Sequence, residues 1–186
     1  GEVYTLLREE EGTEVRDASE YATLLNATAR YDFADVGLAV CLGDREHAYR
    51  RARNLLSEHR RNLVEGLDLV RSIGVTTLDY LQYFYAGDRI RETVVGIIAG
   101  MSISSYNRAL PIIGIVDAEN GFKVSSRGTQ NLVRKGLNLG AAISESAEIV
   151  GGFGGGHDIA AGATIPKESL DEFLSIFDKK IGSQMG

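Results

Sequence analysis

Gly151-Gly152-Phe153-Gly154-Gly155-Gly156-His157-Asp158-Ile159-Ala160-Ala161-Gly162-Ala163 is the densest glycine cluster in the 186-residue chain. Glycine at this density lets a backbone take positive φ and approach a ligand with no Cβ in the way. Read as a loop, the run offers successive N–H groups to an anion, with His157 at its rim as a donor or proton carrier. Flexible connectors are also glycine-rich, but they favour Ser and Pro beside Gly. Apolar helix and strand signals flank this run instead, and Ala160, Ala161 and Ala163 suit tight packing beneath it. A ligand loop is the expectation.

The charge upstream agrees with an anionic ligand. From Asn120 to Ser144 there is no acid, while Lys123, Arg127, Arg134 and Lys135 are present, although the whole chain carries a net charge of −6. A cationic approach to an anion site is what a phosphate-bearing ligand needs. Ser125 and Arg127, two residues apart at the end of an expected strand, fall on one side of it. A hydroxyl and a guanidinium fork so placed can hold one phosphate through charge-assisted bonds. Two nucleotide-cofactor classes are excluded. After Gly152 and Gly154, the third glycine of a dinucleotide fingerprint is replaced by His157, and an expected helix precedes the run. No Gly-Lys pair exists for a Walker-type phosphate loop.

Hydrophobic patterning implies an α/β fold: a mixed β-sheet flanked by helices, preceded by a helical segment with a long connecting helix. Ala48, Ala52, Leu55, His59, Leu63, Leu67 and Val70 recur at three- and four-residue steps, making one stripe on a helix from Asp44 to about Ser72. Arg50, Arg51, Arg53, Arg60 and Arg61 occupy its other face. Past Gly74, Tyr80–Ala86 reads as a strand, Arg91–Ile103 as a packed helix, and Leu110–Val116 with Phe122–Arg127 as a hairpin around Asn120-Gly121. Helices are expected at Thr129–Lys135 and Leu139–Val150, a short strand at Ala163–Pro166, and an amphipathic helix at Ser169–Ile181. The expected division is 1–73 and 74–186. Val36–Leu42 is apolar, and periodicity does not decide between helix and strand. Val3, Tyr4, Leu6 and Leu7 form a patch suited to a strand or an extended arm. Cys41, the only cysteine, reads as core filler in a reducing cytoplasm, and no apolar run reaches the length of a membrane span.

The motifs carry a resemblance. Ser125-x-Arg127, followed by Phe153-Gly-Gly-Gly-His157-x-x-Ala-Ala-Gly-Ala163, resembles the DHH-associated domain of DHH-family phosphoesterases, which include RecJ-like nucleases. The archaeal single-strand-specific branch fits the pattern best. Leu25-Asn26-Ala27-Thr28-Ala29-Arg30 and the long helix resemble the end of a RecJ catalytic region and its connecting helix. The resemblance implies that Ser125 and Arg127 grip a substrate phosphate. It also implies that Gly154, Gly155, Gly156 and His157 approach the scissile nucleotide and that Arg30 faces substrate. Single-stranded DNA or short RNA is the implied ligand, with the family's own catalytic domain and replication proteins as implied partners.

The family's two Mn²⁺ or Mg²⁺ ions need an Asp-His-His motif, an Asp-x-Asp and further aspartates. Neither motif occurs here, and His47, His59 and His157 are isolated in sequence. The expectation is therefore a substrate-binding piece of a longer phosphodiesterase, inactive alone, with Gly1 a remnant of its excision. A replisome scaffold module is the alternative.

Overall fold

The computed structural model describes residues 2–185; Gly1 and Gly186 lie outside the described residues. The chain divides into two compact units, Gly1–Val64 and Glu65–Gly186, with the division inside one helix, α3 (His47–Ile73).

The first unit is helical. Asp17 caps α1 (Ala18–Arg30), its carboxylate accepting from the Ser19 and Glu20 amides at 2.8 and 3.0 Å. The undecided apolar run becomes a helix, α2 (Ala34–Cys41), which crosses close to α1: a Cβ on Gly37 would lie 2.4 Å from the Thr28 hydroxyl. Leu24, Ala27, Val36, Val40, Ala52 and Leu56 form the core. The acid-rich start is neutralised locally. Arg45 grips both oxygens of Glu9 at 2.9 and 2.6 Å, which holds that carboxyl below its ordinary range. Glu14 accepts from the Tyr49 hydroxyl at 2.6 Å and from Arg53 at 3.1 Å. One expectation is overturned and another is narrowed. Cys41 is exposed, because α2 turns Val36, Gly37 and Val40 inward and leaves its last residue outside. Of the two forms open to the Val3–Leu7 patch, the strand is ruled out beyond one bridge, Thr5 to Asp17, and Val3, Tyr4 and Leu7 stay exposed.

The second unit is a six-stranded mixed sheet in the order β1-β2-β3-β4-β6-β5. The strands are β1 (Thr76–Thr77), β2 (Gln82–Tyr85), β3 (Ile112–Ala118), β4 (Gly121–Arg127), β5 (Phe153–Gly156) and β6 (Ala160–Ile165). Only β2 and β3 pair in parallel. Parallel neighbours need a crossover, which contains α4 (Glu92–Ser102). β3 is buried along Ile112–Val116, as its unbroken apolar run requires for a central strand. Gly121, at φ +152°, lets β4 start against β6, where a Cβ would lie 2.0 Å from the Ile165 carbonyl oxygen.

The two sheet faces differ. On one, Ile113, Ile115, Val124, Ala161 and Ala163 join a core with Leu132 of α5 (Gln130–Arg134), Ile143 of α6 (Leu139–Ile149), and Phe173 and Phe177 of α7 (Leu170–Met185). On the other, α4 packs over β3 and β4. There Gly114 makes room for Phe84 and Val95, each 2.7 Å from where its Cβ would be.

The glycine cluster departs from expectation. Phe153–Gly156 is an edge strand, not a loop, and its partner β6 begins at Ala160. The ladder with β6 sets this conformation. Gly154 and Gly156 are needed for close approach, since Cβ atoms there would lie 2.9 Å from Ala163 Cβ and 2.6 Å from the Ala160 carbonyl oxygen.

Candidate phosphate-binding face

Directly paired residues on neighbouring strands share a sheet face. Ser125 pairs with Gly114 on β3, placing Ser125 on the α4 side together with Lys123 and Arg127, two residues either way. Their β6 partners are Thr164, Gly162 and Ala160. Beyond these lie Phe153 opposite Thr164 and Gly155 opposite Gly162. His157 continues the register at the hairpin tip, its N–H donating to Ala160 O at 2.9 Å. Three rows result: Arg127–Ala160–His157, Ser125–Gly162–Gly155 and Lys123–Thr164–Phe153. The Arg127 and His157 backbones are thus two strand spacings apart, roughly 10 Å, in one row.

Arg127 lies along α4. Its Cγ and Cδ run past Gly100, and its guanidinium lies beneath Gly96, where a Cβ would stand 2.4 Å from Nη2 and 3.4 Å from Ser125 Oγ. Its Nη1 donates to the Ser126 carbonyl at 2.8 Å. Hydroxyl and guanidinium are therefore brought together under a helix that two glycines, four residues apart, make thin at that point. Sequence reasoning did not single out Gly96 and Gly100. The available signal was that spacing inside an otherwise apolar helix.

The glycine cluster supplies a floor rather than a hollow. Antiparallel ladders alternate bonded and non-bonded pairs, so the His157–Ala160 bond makes Gly155–Gly162 and Phe153–Thr164 bonded pairs. Gly154 and Gly156 consequently turn their N–H and C=O groups away from β6. The start of α6 is already engaged: Leu139 N donates to Asp158 O at 2.9 Å, Gly140 N to His157 O at 3.0 Å, and Ala141 N to the Asn138 side chain at 3.0 Å. Gly140 permits this contact, since a Cβ there would lie 2.5 Å from Gly156 O. Gly155 differs from the glycines beside it. It is exposed, and nothing lies within 4 Å of where its Cβ would be. No contact within the described residues requires glycine there.

Arg30 ends α1, in the first unit. Burial, and then the nearby Arg30 charge, push the His59 imidazole below its ordinary range. Asn62 donates to the Tyr31 hydroxyl at 2.7 Å, and that hydroxyl lies 3.4 Å from His59 Nδ1, an arrangement suited to a neutral ring that accepts. A lowered folded-state value means the unfolded chain takes up the proton first as pH falls below about 6.5. Stability from neutral His59 is whole above that pH and declines below it, down to the folded-state value. The thermal midpoint should fall more between pH 7 and pH 5 in the native chain than in His59→Gln; equal falls would exclude His59 as the cause.

Among the described residues no three His, Cys, Asp or Glu side chains converge to hold a metal ion. The carboxylate and histidine set that the family's Mn²⁺ or Mg²⁺ needs is not assembled among the described residues. Among the described residues no helix is long and apolar enough to cross a membrane.

An uncharacterized protein of Methanocaldococcus jannaschii is 35% identical over 171 residues, covering 92% of this chain and 37% of that protein. The chain thus spans little more than a third of that relative. RecJ from Thermus thermophilus, solved in complex with Mn²⁺, superposes with a TM-score of 0.72 at 17% identity over 89% of this chain and 24% of its own. CDC45 from Entamoeba histolytica superposes with a TM-score of 0.61 at 14% identity, over 89% and 38%. At these identities the two structures establish a shared fold. Residues 79–183, more than half of the chain and containing all three rows described above, match the DHHA1 domain, and the chain belongs to that family of DHH phosphoesterase-associated domains.

Proposed function

We propose that this chain is the substrate-gripping part of a RecJ-like phosphodiesterase acting on single-stranded nucleic acid. Arg127 and Ser125 hold one phosphate, and the Gly155–Gly162 floor lets the attached nucleotide lie against the sheet backbone. His157, at the far end of the Arg127 row, offers a hydrogen bond to an oxygen of that nucleotide. The metal ions and the attacking water belong to a catalytic half that this chain does not supply. What these residues contribute is orientation and electrostatic stabilisation of the bound ester.

Gly155 carries the reading. A residue with free space around its missing side chain, in the Ser125 row two strands from that hydroxyl, has a reason to be glycine if a ligand fills that space. The test contrasts two neighbours. Gly155→Ala leaves the thermal midpoint nearly unchanged but weakens binding of a nucleoside monophosphate about tenfold or more, the factor made by 1.4 kcal/mol. Gly156→Ala instead lowers stability by about 1–3 kcal/mol, because Gly156 has φ +148° and its Cβ would meet backbone atoms at 2.6 Å. Calorimetric titration and thermal melts read both. A scaffold module would leave nucleotide affinity indifferent to the Gly155 methyl, and that result removes the proposal.

A further inference from the structure

We infer that the same face holds a second nucleotide, with Phe153 stacking on its base and Lys123 meeting the phosphate that joins it to the first. This inference rests on the reading of Arg127 and Ser125 as the first phosphate grip. It makes the ligand class a single-stranded oligonucleotide of at least two nucleotides rather than a mononucleotide.

Three observations support it. Phe153 is 72% exposed, one of the most exposed large apolar side chains among the described residues. It stands at the start of an edge strand whose other residues are all glycine. Burial alone does not account for an aromatic ring there, whereas bases stack on such rings regardless of sequence. Second, the register puts Phe153, Thr164 and Lys123 in one row on the side of the sheet that carries Ser125 and Arg127. Third, that row lies two residues along the strands from the Ser125–Gly162–Gly155 row, about 6.6 Å at 3.3 Å per residue. This is roughly twice the 3.4 Å rise of a stacked strand. A chain stretched to that spacing has its bases unstacked, free to be splayed onto an aromatic ring.

Lys123 completes the row chemically. It is half-buried, on β4, and makes no ion pair among the described residues. Arg127 and Lys123 stand two rows apart on β4 with the Ser125 row between them, and the Arg127 guanidinium lies beneath the same Gly96 that Ser125 Oγ approaches. That arrangement favours successive phosphates of one strand over a single phosphate.

The full chain is titrated with thymidine monophosphate and with 5′-phosphorylated thymidine dinucleotide. The native chain should bind the dinucleotide tenfold or more tightly. Phe153→Ala should abolish that gain and leave the monophosphate unaffected, and Phe153→Tyr should restore it. Lys123→Ala should weaken the dinucleotide alone and reduce the salt dependence of its binding. Equal affinities for the two ligands in the native chain overturn the inference. So does a gain that survives Phe153→Ala, the outcome expected if the ring serves a protein contact. If Arg127→Met weakens the monophosphate while Phe153 does not matter, the second subsite fails and the first grip stands. If Arg127→Met changes neither ligand, the first grip fails too.

Discussion

Phe177→Ala should lower the unfolding free energy of the second unit by about 3–5 kcal/mol, the usual cost of truncating a buried phenylalanine. The side chain is fully buried, and its ring lies 5.4 Å from that of Phe173 at a tilt of 36°. Both rings belong to the core that includes Ile143 and Ala147 of α6 and Ala161 and Ala163 of β6. Emptying that space removes the transfer free energy of the ring and leaves a cavity that strands on one side and helices on the other cannot fully close. The loss is a large share of the 5–15 kcal/mol typical of a whole domain. Urea unfolding should show a lower midpoint with an unchanged slope. Phe153→Ala is the internal control: an exposed ring should cost within about 0.5 kcal/mol. Equal losses from the two substitutions would mean that α7 does not close the core of this sheet.

The contrast between these phenylalanines also separates what the sequence discloses from what it conceals. Phe173, Phe177 and Ile181 announce a buried helical stripe by spacing alone, as Ala52, Leu55 and Val70 do on α3. The Asn120-Gly121 turn between two apolar runs announces the central hairpin. Ser125 and Arg127 are assigned to one face by the period of two, before any coordinates. The strand Phe153–Gly156 is different. Glycine disfavours strands and leaves no alternation to read, so its conformation is imposed by pairing with β6, a non-local cause. Cys41 fails for a related reason: α2 has eight residues, nearly all apolar, and which face turns inward depends on where α1 lies. The roof that Gly96 and Gly100 form over Arg127 needs α4 to cross β4. No local pattern encodes that crossing.

Arg127→Met should weaken binding of a nucleoside monophosphate by about 1.5–3 kcal/mol, the range for a hydrogen bond to a charged partner, while leaving the fold nearly as stable. Methionine suits the test better than alanine. The arginine stem packs along Gly100 and its Nη1 donates to the Ser126 carbonyl, so alanine would remove packing as well as charge. Arg127→Lys should recover only part of the loss. An ammonium keeps the charge but cannot present two parallel donors to one phosphate. Ser125→Ala should cost less, about 0.5–1.5 kcal/mol, because a neutral hydroxyl adds direction more than strength. Titration calorimetry at two salt concentrations separates these terms: losing the guanidinium should flatten the salt dependence of binding, whereas losing the hydroxyl should not. An affinity untouched by Arg127→Met, in a variant that melts like the native chain, would show that the cation beneath Gly96 holds α4 to the sheet and nothing else. Gly96 and Gly100 give the arginine room beneath α4, and on the proposed reading the guanidinium they leave beside Ser125 is what holds the phosphate.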